Sequence, residues 1–255
     1  MERNTVLDRG RKIIYEQDGR CYKSFDSTYN KADVLNEALN QARVEETGLN
    51  IPHLLGVDII DGRWTIISEY IESHNMQKLM DENPDKEDEY LEWFVDIQID
   101  MQKKKCPLLN KHRDKMNRKI GQTDLSATLR YDLHNRIEAM PRHNSLCHGD
   151  YNPSNIIVDR QGKAYIIDWS HATQGNIEAD SARTFLLFLL DNKKDLAIRY
   201  MDLFCKKSGA DYHEVLAWLP ILAASQSVKG RKNESDFLHK LIFMDKKELE
   251  ALYGK

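Results

Sequence analysis

Several common signatures are missing from this chain. It holds no G-x-x-x-x-G-K-[ST], no G-x-G-x-x-G, no G-x-S-x-G and no H-E-x-x-H. Any nucleotide it binds is therefore not held by a P-loop or a Rossmann turn. Cysteine is sparse: Cys21, Cys106, Cys147 and Cys205 are scattered, with no C-x-x-C pair. They read as core filler in a reduced, cytoplasmic compartment. Neither His148 nor His171 has metal-ligand spacing to other His or Cys residues, which argues against zinc. Long apolar runs are absent too, and Phe185–Leu190 is far too short to span a bilayer. The opening MERNTVLDRG lacks the apolar core of a signal peptide. Nor is there a basic surplus. With 37 Lys and Arg against 41 Asp and Glu, the formal net charge is -4, which argues against a nucleic-acid partner. No internal repeat or low-complexity segment is visible. What remains is an ordinary globular composition of 255 residues, 41% hydrophobic and 31% charged. That is enough for one large domain or two lobes with a sizeable core.

The informative stretch is residues 146–173, LCHGDYNPSNIIVDRQGKAYIIDWSHAT. Ile156–Val158 and Ala164–Ile167 are short apolar runs rich in β-formers, with turn chemistry at Asp159-Arg160-Gln161-Gly162 between them. The pattern predicts a hairpin. With Val158 near Lys163, Asn155 and Asp168 fall at the same end, within a residue or two of register. One amide oxygen and one carboxylate then lie side by side, and Asp150 sits on the lead-in loop. Hard oxygen ligands suit Mg2+, which takes one or two protein oxygens plus substrate phosphates. The carboxylate not needed for the metal is left to serve as a base. Taken singly, each of these residues is well explained as an Asx turn at a strand end. The set is harder to explain that way.

H-G-D-x-x-x-x-N, then a hairpin, then an Asp, is the layout of a kinase catalytic loop. HGDYNPSN together with IIDWSHATQGNIEADSART resembles the aminoglycoside phosphotransferase family, bacterial small-molecule kinases with a protein-kinase-like fold. In that family HGD replaces the protein-kinase HRD, and D-W or D-x-[DE] replaces DFG. The motif pair is specific for the fold and says little about the substrate. The resemblance implies that ATP is the donor, that Asp150 accepts the acceptor hydroxyl's proton, and that Asn155 and Asp168 hold Mg2+. It also gives Asp180 a bracing role at the catalytic loop, although Asp180 is equally suited to cap a helix starting at Ser181.

Upstream, residues 4–25 read as three short strands, turning at Asp8-Arg9-Gly10 and at Asp18-Gly19. Cys21, Lys23 and Phe25 share a strand face, so Lys23 must snorkel or find a partner. Residues 31–47 read as a helix with an apolar stripe of Leu35, Ala38, Leu39 and Ala42. Glu37 lies near its middle. The resemblance maps Lys23 and Glu37 onto the kinase phosphate-gripping pair, with Glu45 and Glu46 as nearby alternatives for the glutamate. The first turn has one glycine where protein kinases have three. Arg9, Arg11 and Lys12 there offer positive charge, although basic surface turns are more often simply solvated. Leu54–Ile60 and Trp64–Tyr70 form a second hairpin across Asp61-Gly62. The resemblance implies that the next segment, 68–74, is the hinge, where main-chain groups at Glu69 and Ile71 meet adenine.

From Asn75 onward the pattern is helical. The charge-rich 81–92 and 103–119 stretches read as solvated faces. Further helices are predicted at 125–140, 184–190, 195–206, 213–227 and 234–244. The expected fold is α+β, two-lobed and protein-kinase-like. Residues 1–71 form a nucleotide-binding lobe and 72–255 a catalytic and acceptor-binding lobe. The expected activity is ATP-dependent phosphoryl transfer to a hydroxyl of a small molecule, with no nucleic-acid or membrane partner. No acidic cluster suited to a polycationic aminoglycoside is evident, and 229–232 is locally basic. A protein kinase is the rival enzyme, disfavoured by the lack of A-P-E. A non-catalytic nucleotide-binding module is the rival outside enzymology, disfavoured because Lys23, Asp150, Asn155 and Asp168 are all present.

Overall fold

A computed structural model of the chain describes residues 4–8 and 10–254. Arg9, one of the basic turn residues, lies outside the described residues. The fold is α+β, as the sequence predicts: a β-rich N-terminal sheet followed by a mainly helical C-terminal part. The chain divides into two compact units. One runs to Glu87 and takes back Pro153–Ala172; the other comprises Asp88–Asn152 and Thr173 onward.

The first unit opens with β1 (Asn4–Asp8), β2 (Lys12–Gln17) and β3 (Arg20–Phe25). Helix α1 (Lys31–Glu45) follows, then β4 (Leu54–Ile60) and β5 (Arg63–Glu69). The five strands form one antiparallel sheet in the order β1-β2-β3-β5-β4. Both Asp-Gly turns have two positive φ angles, 52° and 72° at Asp18-Gly19 and 51° and 73° at Asp61-Gly62. That backbone matches the strands' right-handed twist, which is why Asp-Gly selects it. Phe25, Val34, Ala38 and Ile66 form the core between α1 and the sheet.

The helix sits about one residue out of phase with the predicted stripe. Val34, Glu37, Ala38, Asn40 and Val44 are buried, whereas Leu35 and Leu39 are 38% and 47% exposed. Two polar anchors set this rotation. Glu37 pairs with Lys23, and the Asn40 amide donates to the Trp169 carbonyl at 3.2 Å. Turning Leu35 and Leu39 inward would break both, leaving a buried lysine without its glutamate.

The unit continues through β6 (Ser73–Asn75) and α2 (Met76–Glu82), capped by the Asn75 side chain. Helix α3 (Glu87–Gln102) carries the chain into the second unit, where α4 (His112–Gly121), α5 (Ala127–Ala139) and β7 (Ser145–Cys147) follow. The hairpin β8 (Ile156–Asp159) and β9 (Ala164–Ile166) returns to the first unit and pairs with β6. Strand β10 (Thr173–Gly175) pairs antiparallel with β7. Six helices complete the chain: α6 (Ile177–Leu190), α7 (Lys194–Ser208), α8 (Tyr212–Ala217), α9 (Leu219–Ser227), α10 (Lys232–Phe243) and α11 (Lys246–Tyr253).

Two helix readings change. The single helix expected over 213–227 is α8 and α9, divided at Trp218, with Pro220 in the first turn of α9. Proline has no N–H to give a preceding turn, so it starts a helix better than it continues one. The helix expected from Ser181 begins at Ile177 with Asn176 as its cap, so Asp180 lies inside the first turn and is not the cap residue. The second unit's core gathers around Phe94, whose ring lies 4.4 Å from Tyr151 and 6.2 Å from Phe188.

Candidate active site

In the first unit the hairpin register is Ile156↔Ile166 and Val158↔Ala164. The Ile167 N–H donates to the Asn155 carbonyl at 2.9 Å, which puts Asn155 one residue out of register with Asp168. Asp168 has φ 65° and ψ 64°, a left-handed backbone that only a few non-glycine residues tolerate. Its carboxylate meets two lysines. Lys23 Nζ lies 3.2 Å from one oxygen and Lys12 Nζ 3.4 Å from the other. Ser170 Oγ donates to the first oxygen at 3.0 Å. Lys23 also donates to Glu37. Glu45, one of the alternative partners, instead accepts the Leu54 N–H.

This is a nearly buried charge cluster of alternating sign. Burial alone pushes the Lys23 ammonium down, but Glu37 and Asp168 together hold it above the ordinary lysine value. Burial alone pushes Asp168 up, yet Lys23 and Lys12 hold it below the usual carboxylate range. Burial raises Glu37 above the ordinary glutamate value against the pull of Lys23. Lys12 is lowered by burial and by its neighbour Lys23. Asp168 therefore stays ionised and Lys23 protonated. Lys12, read in sequence as one of several basic turn residues, faces the same carboxylate as Lys23. At the end of β5, Glu69 donates its N–H to the His53 carbonyl at 2.8 Å, and the Ile71 carbonyl accepts from Ser73 Oγ at 2.9 Å.

Asp150 belongs to the second unit, on a loop that is pinned at several points. The Gly149 N–H donates to one Asp180 oxygen at 2.8 Å, and Gln102 Nε2 donates to the other at 3.1 Å. The bracing role expected of Asp180 therefore has a geometric basis. Gly149 has φ 77°, so the loop turns where an L-residue would be strained. The Asp150 N–H donates to Nδ1 of the fully buried His148 at 3.3 Å. Thr184 Oγ1 donates to the Tyr151 carbonyl, and the Tyr151 hydroxyl donates to the Phe94 carbonyl.

Arg183 was not anticipated. Its guanidinium lies 3.4 Å from Asp150 Oδ1, with the side chain only 9% exposed. The signal was available: an arginine one turn beyond Asp180, in a helix that is buried along most of its length, demands an anion. A cavity of about 640 Å³ in the second unit, lined by residues such as His143, Glu178, His213 and Trp218, includes none of the candidate site residues.

A sequence profile of the phosphotransferase enzyme family (APH) matches residues 29–227. The chain belongs to this family. No curated protein matches it in sequence. Among solved structures, the phosphotransferase is similar to the choline kinase LicA from Streptococcus pneumoniae, with a TM-score of 0.67 and 14% identity over 98% of this chain and 94% of that one. It is similar to a thermostable mutant of the aminoglycoside phosphotransferase APH(4)-Ia, with a TM-score of 0.65 and 14% identity over 99% and 94%. It also resembles a choline/ethanolamine kinase family protein from Mesorhizobium loti, with a TM-score of 0.62 and 14% identity over 100% and 88%. At this identity the likeness establishes a shared fold, that of the protein-kinase-like small-molecule kinases.

Proposed function

We propose that this phosphotransferase moves the γ-phosphoryl group of ATP to a hydroxyl of a small molecule. The observation that carries the reading is the Lys23–Glu37–Asp168 cluster in a chain of this family. A lysine fixed by a helix glutamate and placed against the hairpin aspartate is the arrangement that grips nucleotide phosphates. Residues 1–71 form the nucleotide lobe, the hinge spans about 68–74, and 72–255 carry Asp150 and the acceptor. Adenine takes main-chain hydrogen bonds from the hinge, at the Glu69 carbonyl and the Ile71 N–H. LicA is also known in complex with AMP, and APH(4)-Ia with AMP-PNP and hygromycin B, which supports a nucleotide and a small acceptor here. A cytoplasmic setting goes with ATP as donor.

Asn155 and Asp168 offer an amide oxygen and a carboxylate, a hard donor pair that fits Mg2+. No group of three or more His, Cys, Asp or Glu suited to a metal occurs among the described residues. That is compatible with an ion completed by phosphate oxygens. When bound, Mg2+ neutralises charge on the phosphates. The chain's own residues do the rest. Lys23, set by Glu37, holds the α- and β-phosphates. Asp150, set by His148 and the Gly149–Asp180 brace, orients the hydroxyl and takes its proton as the O–P bond forms and ADP leaves. Positioning and charge neutralisation supply the acceleration, without a covalent intermediate.

Asp150→Asn and Asp168→Ala separate these roles. Mg-ATP at about 100 times its Kd stabilises a protein by roughly 2.7 kcal/mol. For a chain near this size that is a melting shift of roughly 5–10 °C. Asp150→Asn is expected to keep the shift and lose turnover; Asp168→Ala is expected to lose both. Absence of any Mg-dependent shift in wild type overturns the site assignment. A shift without transfer to any acceptor supports a non-catalytic module instead, and transfer to protein hydroxyls alone supports a protein kinase.

A further inference from the structure

We propose a second ligand site, in the cavity at the start of α6, for a small organic cation that has N–H donors and an apolar body, such as an arylalkyl primary ammonium or an amidinium. The inference concerns only the second unit and does not depend on the phosphotransferase reading. The end of α5, residues 140–143, the start of α6, α8 with the first turn of α9, and α11 line a cavity of about 640 Å³. That volume is ordinary for a small-molecule site. The walls are tied to one another. Asn176 Nδ2 donates to the Pro141 carbonyl at 3.0 Å, which holds the stretch before β7 against α6. The Tyr212 and Tyr253 rings lie 5.3 Å apart and join α8 to α11, and the Asp245–Glu248 capping box fixes where α11 begins. A guest therefore does not have to order the walls that receive it.

Glu178 decides what the cavity accepts. It lines the cavity, with its side chain only 9% exposed. Among the described residues its buried Oε2 has no hydrogen-bond partner. His143 Nδ1 lies 3.8 Å from that oxygen, beyond hydrogen-bond reach. A place in the first turn of α6 favours a carboxylate, but it gives this oxygen no donor. A buried carboxylate oxygen without a donor carries a desolvation cost, and a charged N–H group recovers it. The carboxylate turns readily about its last torsion, so Oε2 can swing to meet a guest. The rest of the wall has the same sign. Four carboxylates line it, Glu178, Glu214, Asp245 and Glu250, against two permanent cations, Arg136 and Lys246. Arg136 is engaged by Asp132 at 2.8 Å. Lys246 lies 3.8 Å from Glu250, which also faces His213 Nδ1 at 3.1 Å. An anionic guest would be repelled by this excess. A metal ion is not suited either, since no group of three or more His, Cys, Asp or Glu able to hold one occurs among the described residues. Pro141, Leu216, Trp218 and Leu249 make much of the wall apolar, so the guest has an apolar body beside its charge. A quaternary ammonium brings the charge without the N–H and leaves Oε2 as it was.

The test is calorimetric titration of the full chain at matched ionic strength. Benzylamine and benzamidine are the probes. Benzyltrimethylammonium, a charge without N–H, and benzyl alcohol, which is neutral, are the controls. Wild type is expected to bind the probes with a Kd on the order of 1 mM or tighter. The controls should bind about tenfold or more weakly. Glu178→Gln should weaken both probes by about tenfold or more, because the charge that assists the hydrogen bond is gone. Glu82→Gln, an exposed glutamate in the first unit, should change nothing. Ala217→Phe fills the cavity from α8 with Glu178 in place, and should also weaken the probes. It keeps the proposal open to refutation if Glu178→Gln fails to fold, which a melting scan of each variant shows. Asp150→Asn separates this cavity from the candidate active site and should leave the affinity unchanged. Binding lost in Asp150→Asn but kept in Glu178→Gln would place the amine at the active site and overturn the proposal. Equal binding of probes and controls would overturn it too, as would no binding of either probe. If the probes bind as expected while Mg-ATP neither binds nor turns over, only the phosphotransferase reading falls.

Discussion

Lys23 is shared by two carboxylates, and Asp168 by two ammonium groups, so no one contact defines this cluster. That sharing decides how a substitution at Lys23 behaves. Removing one partner of a buried ion pair commonly costs about 3–5 kcal/mol, because a bare charge is left behind. Here the remaining charges have ways out. Glu37 is already raised by burial and can take a proton, and Asp168 keeps Lys12 at 3.4 Å. Lys23→Met is therefore expected to fold, with a loss of stability below that range. Its kcat/KM for ATP should fall about 10²–10³-fold, the usual cost of removing one preorganised charge-stabilising donor. Steady-state kinetics at saturating acceptor, beside a melting scan, measure both. An unchanged kcat/KM would take Lys23 out of the phosphate site. The need of Lys23 for a partner was legible in the sequence, because a lysine on a half-buried strand face demands one; the family resemblance, not the helix pattern, put Glu37 ahead of Glu45 and Glu46. Arg183 makes the same demand from inside α6 and was passed over, because Glu178 and Asp180 on the same helix look like sufficient partners in sequence.

Elements were most legible where a turn fixes them. The two Asp-Gly hairpins and the β8–β9 hairpin follow from turn chemistry, and the last sets Asn155 and Asp168 one residue apart in register. The rotation of α1 was not legible, because periodicity counts apolar residues and the rotation is set by Glu37 and Asn40. The final helix, α11, was passed over although Asp245 and Glu248 form a capping box that its sequence announces. The short β7–β10 pair was invisible for a different reason. Three-residue strands have no period to detect, and their partner is set by tertiary packing. Gly175 shows how tight that packing is. A Cβ there would lie 2.5 Å from His112 Cβ, closer than side-chain carbons approach. Gly175→Ala is expected to destabilise the second unit by about 1–3 kcal/mol through overpacking. The clash is with a β-carbon, so His112→Ala, which keeps that carbon, should not rescue it, whereas His112→Gly should relieve it. Urea unfolding of the three variants reads this directly. Rescue by His112→Ala would place the strain in the imidazole ring instead.

Across the whole molecule, the fold and family were legible because residues 146–173 concentrate them. The Asp150–Arg183 pair was not, because its members lie 33 residues apart and no motif joins them. His112 is a further buried group that no motif announces, and it shapes how the protein responds to acid. It is buried on α4, with its ring 5.4 Å from that of Trp218. Burial, and then the charge of Lys115, lowers it from 6.5 to about 3. Between those two values the unfolded chain takes up a proton that the folded chain refuses. The contribution of His112 to stability is therefore intact above pH 6.5 and is lost as pH falls towards 3. At pH 4.5 the loss amounts to about 2–3 kcal/mol. His112→Phe keeps an aromatic ring against Trp218 and has nothing to protonate. Urea unfolding of wild type and His112→Phe at pH 7, 5.5 and 4.5 isolates the effect, since every other titrating group is common to both. The stability gap between them should move in favour of the variant by about that amount as pH falls. A gap that stays constant across the three pH values would mean that His112 is protonated in the folded protein, with an anion or water beside it.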